Sequence, residues 1–213
     1  MQISSRTGIA SIAGVAFVIA TAVQAFGQDV MTAWDSIKPM PPPALKAVSL
    51  DPAKSALIVM DFDKKTCIPT RRARCAEALP NVTALLAKAR AKQMLVVHFY
   101  NANMSLEDIV PELVPTGSET AQKVSGDKFF GTDLVKVLKD RGIDTVILAG
   151  TSANGAVLAT AMGASQHKFK AIVPIDTMPA DNIWLEQFSI WEIANGPGFR
   201  DVSSVTRTDM LKF

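Results

Sequence analysis

From about Ala53 onward the chain alternates short, continuous apolar runs with longer stretches whose apolar residues recur every three or four positions. SALIVMDF, Ser55 to Phe62, is unbroken and rich in branched residues, as a strand buried on both faces of a parallel sheet requires. LPNVTALLAKARAKQ (Leu79 to Gln93) has helical spacing, with Pro80 near its start and basic residues towards its end. MLVVHFY, Met94 to Tyr100, is the second predicted strand, and Asn101 to Asp127 is predicted to be irregular because Pro111, Pro115 and Gly117 interrupt it. A helix is predicted over Thr132 to Arg141, capped by Thr132 and closed by Gly142. Then come the strand TVILAG (Thr145 to Gly150), a helix from Ser152 to Phe169 and the strand KAIVPID (Lys170 to Asp176). A helix ended by Gly196 and Pro197 and a short strand, Val202 to Thr208, complete the pattern.

This succession predicts an α/β protein of three layers, a parallel sheet of about six strands with helices on both faces. Ligands in such folds bind beyond the carboxyl ends of the strands, where strand order switches. The positions of interest are therefore Asp61 and Asp63, His98 to Asn101, Thr151 to Ala156, and Asp176 to Met178. None carries a dinucleotide fingerprint or a phosphate loop, and no cofactor is expected.

The first residues change the picture of where the protein works. Arg6 is the only charge before Asp29, Gly8 to Val23 is apolar, and small residues near Ala25 and Gly27 offer a cleavage site. Residues 1–27 are read as a signal peptide and the protein as periplasmic or secreted, with no membrane contact after cleavage. Residues 28–52, with Pro39, Pro41, Pro42 and Pro43, form an extended lead-in, and residues 53–213 form one domain. The formal charge of +2 falls by one without Arg6, and the remaining basic residues are interspersed with acids. No basic face results, which excludes nucleic acid as an expected partner.

Two cysteines, Cys67 and Cys75, lie in the charged segment DKKTCIPTRRARCAEAL. In an exported protein a local disulfide is the first reading. A reactive thiolate supported by Arg71, Arg72 and Arg74 is the alternative, and two thiols are too few for a metal site.

At the strand ends the sequence resembles the isochorismatase-like hydrolase superfamily, also called the cysteine hydrolases. The resemblance rests on the aspartate in LIVMDFD, a lysine before the phenylalanines of KVSGDKFFGTDL, and the turn GTSANGAVLATA followed by KAIVPID. It implies an aspartate, a lysine and a cysteine at the carboxyl edge of the sheet. Asp61 takes the aspartate's place and Lys123 the lysine's, with Lys128 as the rival; the cysteine's place is held by Ala156. Family members with the thiol attack an amide carbonyl covalently. The isochorismatases proper resemble this chain in having a small residue there. In their chemistry the acid protonates the methylene carbon of a vinyl ether and water adds to the oxocarbenium ion, with no covalent enzyme intermediate.

The resemblance thus implies a hydrolase of a small organic molecule, with Asp61 and Lys123 catalytic and Thr151, Ser152, Asn154, Gly155 and Ala156 lining the substrate pocket. A pseudoenzyme that binds a small molecule there, or an amidase disabled at position 156, is the alternative. The family also implies a cis peptide between Thr151 and Ser152, and a homo-oligomer. No catalytic metal is expected, because HFYNANMS follows the second strand where metal-using members need an aspartate and histidines. Asp61 and Asp63, two apart, would face one side if the strand continued, whereas Asp63 lies in water if it does not. Ser152 is read as a helix cap more than as a substitute nucleophile, His98 as a packed histidine and His167 as a solvated one. Trp184, Phe188 and Trp191 recur at helical spacing and are read as core or subunit contact.

Overall fold

The computed structural model describes residues 29–213; the expected signal peptide lies outside the described residues. Residues 29–39 belong to one compact unit and contain the four-residue helix α1 (Val30–Ala33), whose N-terminal amides are capped by Asp29. Met40–Phe213 is the other unit. Among the described residues no helix is long and apolar enough to cross a membrane.

Eight strands follow in the second unit: β1 (Val48–Ser49), β2 (Ser55–Met60), β3 (Leu95–Tyr100), β4 (Thr120–Lys123), β5 (Thr145–Gly150), β6 (Lys170–Pro174), β7 (Ser203–Thr206) and β8 (Leu211–Lys212). Six of them form one parallel sheet in the order β4-β3-β2-β5-β6-β7. The chain starts near the middle at β2, builds outward through β3 and β4, and then crosses to β5 and builds the other way. Strand order therefore switches between β2 and β5, which pair from Ser55–Thr145 to Met60–Gly150.

Period-two alternation along β2 assigns each residue to a face. Leu57 and Val59 join one apolar cluster with Val82, Leu85, Leu86 and Ala89 of helix α2 (Pro69–Ala91). Ala56, Ile58 and Met60 join the opposite cluster, shared with α3 (Leu134–Asp140), α4 (Leu158–Gln166) and α5 (Ile183–Asn195). The expected three layers are present.

Three elements differ from the sequence expectation. Helix α2 begins at Pro69, ten residues earlier than expected, and holds Pro80 inside it. Cys75 is thus inside the helix and Cys67 in the bend just before it: Cys75, Ala78, Val82, Leu85, Leu86 and Ala89 form a buried stripe at spacings of three and four that outweighs the internal Pro80, while Pro69 sits at the helix start, where proline is favoured. The supposedly irregular Asn101–Asp127 contains β4, an edge strand whose residues TAQK carry no apolar run to betray it. Within the lead-in, Val48 and Ser49 pair with Leu211 and Lys212 in a separate two-stranded sheet.

Candidate active site

Asp61 follows β2 at the switch point with φ +60°, a left-handed conformation that aspartate tolerates better than most residues. Its amide donates to Phe99 O at 3.0 Å, fixing the turn to β3. The carboxylate is buried, with the side chain 10% exposed, and its Oδ2 accepts a hydrogen bond from Lys128 Nζ at 2.8 Å. Oδ1 is buried with no hydrogen-bond partner among the described residues. Burial pushes the Asp61 pKa up; the Lys128 charge and hydrogen bond pull it back in part, and the Asp63 charge adds to the rise.

Lys128, and not Lys123, is therefore the lysine that the structure brings to Asp61. Lys123 ends the edge strand β4, opposite Tyr100, and is exposed. Lys128 is fully buried and fixed from several directions. Its Nζ also donates to Val124 O at 2.9 Å and stands 5.8 Å from the Phe99 ring centroid. Its amide donates to Thr160 Oγ1, and its carbonyl accepts from Thr132 Oγ1 at 2.6 Å. Burial of the neighbouring Phe129 draws this turn into the core, which no feature of β4 does for Lys123.

Asp63 borders the same small cavity as Asp61, though not by continuing the strand, and it is buried and not in water. The left-handed Asp61 ends strand alternation, and Asp63 turns back as a buried cap that accepts from Lys65 N and Thr66 N, both at 2.9 Å. A small cavity of about 10 Å³ lies against Asp61, bounded also by Asp63, Tyr100, Asn101, Ser105 and Asp108. That is room for about one water molecule.

Across the switch, Thr151 follows β5 as Asp61 follows β2, and its amide donates to Met60 O at 3.1 Å. The Thr151–Ser152 peptide is cis. Ala153–Val157 forms a π-helical turn leading into α4, and Ala156 is buried within it. Asn154 and Gly155 face elsewhere, onto a wide apolar groove of about 530 Å³ shared with Leu158, Met162, Phe188 and Phe199. The expected pocket is thus divided, with Asp61 on the small cavity and these two residues on the groove. The Gly155 amide is also committed, donating to Ser152 O at 3.0 Å.

Neither histidine of the chain is bonded to Ser152. His98 is buried and meets Glu119 at 2.9 Å, and Glu119 in turn takes two hydrogen bonds from Arg90. Burial lowers the His98 pKa against the pull of Glu119. The Glu119 carboxyl, which burial alone would raise, is brought down to about 2 by hydrogen bonds from Arg90, the Thr116 amide and His98. His167 is exposed and stacks on Phe129. Cys67 and Cys75 form a disulfide, so the arginines between them are not thiolate partners. Arg74 pairs with the buried Glu186, and Arg72 reaches Thr151, a contact the sequence reading missed. Trp184 and Phe188 stack on each other but are exposed, contrary to the core reading.

With this geometry in view, comparisons with known proteins settle the family. The isochorismatase domain model matches residues 55–207. An uncharacterized isochorismatase family protein of Bacillus subtilis, YwoC, is 28% identical over 158 residues, covering 63% of this chain and 82% of the relative. Maleamate amidohydrolase of Pseudomonas putida is 39% identical over 67 residues, 32% of this chain and 30% of that protein. The crystal structure of a cysteine hydrolase from Pseudomonas syringae superposes with a TM-score of 0.68 at 22% identity, over 80% of this chain and 95% of that one. The chain belongs to the isochorismatase family, a family of hydrolases.

Proposed function

We propose that this chain hydrolyses a small organic substrate by acid catalysis, with Asp61 as the proton donor and Lys128 as the charge that holds it. The observation that carries this is the asymmetry of the Asp61 carboxyl: Oδ2 is bonded to Lys128, while Oδ1 is buried without a partner among the described residues. An unpaired buried carboxylate oxygen is costly, and protonation removes the cost. Burial raises the Asp61 pKa against the pull of Lys128, the direction a proton donor needs.

An enol ether suits this arrangement. The Oδ1 proton passes to the methylene carbon, and the electron pair of the double bond forms the new C–H bond. Water adds to the resulting oxocarbenium ion and returns a proton to Asp61. The hemiketal so formed breaks into a ketone and an alcohol. Lys128 stabilises the aspartate left after the first transfer. The cavity beside Asp61, with room for about one water, supports the second step. Ala156 supplies bulk without a nucleophile. Thr151, Ser152 and Ala156 are proposed as the wall of the site, with Asn154 and Gly155 at its approach from the groove.

Export of the protein, to the periplasm or beyond, belongs to the same proposal. It is supported by the apolar segment before Asp29 and by the buried Cys67–Cys75 disulfide. The exposed stack of Trp184 on Phe188 supports self-association.

The test is a screen of amides, esters and enol ethers with the protein, with Asp61→Asn and with Ala156→Cys. Enol ether hydrolysis lost in Asp61→Asn is the expected result. Amide hydrolysis appearing only in Ala156→Cys would show a disabled amidase, and silence throughout would show a binding protein.

A further inference from the structure

Lys128 reaches Asp61 from a turn that belongs to neither strand nor helix. A buried backbone group needs a partner wherever it lies, and here the Lys128 peptide finds its partners in hydroxyls. Its carbonyl accepts from Thr132 Oγ1, four residues on in the same stretch. Its amide donates to Thr160 Oγ1 at 3.2 Å, and Thr160 stands on α4, fully buried. Through this bond a regular helix, and not the turn alone, holds the backbone of the lysine.

Gly163, three residues further along α4 and so on the same face as Thr160, shows how closely the turn is seated. A Cβ there would stand 2.4 Å from Asp127 Oδ1 and 2.6 Å from Oδ2. The carboxylate so placed accepts from the Phe129 amide at 2.9 Å, and the Phe129 ring stacks 5.7 Å from Phe169, just beyond the end of α4. Asp127, Lys128 and Phe129 are thus seated on α4 or its continuation. The π-helical turn that holds Ala156 leads into this same helix.

We propose that Thr160 is a positioning residue, which fixes through the Lys128 amide the place where the Lys128 ammonium meets the Asp61 carboxyl. This rests on the acid-catalysis reading and names a residue that supports it. Thr160 touches no reacting atom. The lysine side chain is a flexible stem, so its head keeps one place only when the backbone that carries it is held as well. Without the Thr160 hydroxyl the Lys128 amide is unsatisfied in the core, the turn shifts to find a partner, and the hold of the ammonium on Asp61 loosens.

The test is Thr160→Val, which keeps the branched shape and removes the hydroxyl, beside Thr160→Ser, which keeps the hydroxyl. The Asp61 carboxyl is titrated by carbon NMR, independently of turnover, and kcat is followed against pH on the best enol ether. Lys128 pulls the Asp61 pKa down, so Thr160→Val is expected to raise it and to carry the basic limb of the kcat profile to higher pH. On the acid plateau kcat is expected to fall about 10-fold, with KM within about twofold. Thr160→Ser is expected to titrate and turn over as the unaltered protein does. The other charged groups around Asp61 are Asp63 and, across the small cavity, Asp108 with its partner Lys65, and neither variant alters them.

A threonine of purely structural value would lower the melting temperature in Thr160→Val and leave the Asp61 titration where it was, which would overturn the proposal. So would a Thr160→Ser protein shifted as far as Thr160→Val. If Thr160→Val does not fold, Gly163→Ala decides: its methyl displaces the Asp127 carboxylate from the same turn, and an unmoved Asp61 titration there leaves Thr160 nothing to act through. An Asp61 shift in a protein that hydrolyses no enol ether would keep the positioning role and fail only the acid-catalysis reading.

Discussion

Lys128 Nζ lies 2.8 Å from Oδ2 of Asp61, inside the sheet edge, while Oδ1 of the same carboxyl has no partner among the described residues. The pair is buried on both sides, so removing either member leaves the other uncompensated. Lys128→Met is expected to lower stability by about 3–5 kcal/mol, the usual cost of breaking a buried ion pair from one side. Lys123→Met, on an exposed edge position, is expected to change stability by no more than about 0.5 kcal/mol. Urea unfolding of both variants checks this, and equal losses would return Lys123 to consideration.

The pH dependence of hydrolysis follows from the direction of the Asp61 shift. Its pKa in the folded protein lies above the ordinary 3.8, because burial disfavours the carboxylate. As a proton donor it is active below that raised pKa, so kcat/KM should fall as pH rises through it. Asp61 likewise favours the folded state below pH 3.8, and that contribution is lost as pH rises through the folded pKa. A profile of kcat/KM whose basic limb vanishes in Asp61→Asn, together with residual activity, would tie that limb to this carboxyl.

A second pH effect belongs to the edge of the sheet. His98 is held neutral with a folded pKa below 6.5, so its contribution to stability is present above pH 6.5 and is lost as pH falls through the lowered value. Glu119 is depressed to about 2, so its contribution is present above pH 4.5 and is lost between there and about pH 2. Stability should therefore decline in two stages on acidification. Hydrogen exchange of β3 and β4 amides should accelerate early, and Glu119→Gln should flatten the lower stage. An unchanged acid profile in that variant would contradict the assignment.

The disulfide closes a short loop between residues 67 and 75. Loop-closure entropy for such a span is about 2–3 kcal/mol. Replacing both cysteines by serine should lower stability by about that amount, read by urea melts with and without a thiol reductant. The unaltered protein should drop to match the variant on reduction, and the variant should not respond.

Much of the fold could be read from apolar runs because parallel strands buried on both faces leave an unmistakable signal, as in Ser55–Met60 and Thr145–Gly150. Where a strand is short and at an edge, as Thr120–Lys123 is, burial imposes no pattern and the reading failed. The start of α2 was missed for the opposite reason: Pro80 carried the local signal of a helix start, against a stripe of buried residues whose partner surface exists only in the folded protein. Asp61 was legible from its place after the first strand. Its lysine was not, since two lysines five residues apart, one ending β4 and one in the turn after it, differ in sequence by nothing that shows which is drawn inward by Phe129 and Thr160. The contact of Arg72 with Thr151 spans 79 residues of sequence and had no local signature beyond its position between two cysteines.

The most direct test of Asp61 as the acid is the kcat of Asp61→Asn on the best substrate from the enol ether screen, with folding checked by circular dichroism. General acid catalysis contributes about 10²- to 10⁴-fold, so a loss of at least about 100-fold is expected. A folded variant that retains kcat within about threefold would contradict the account.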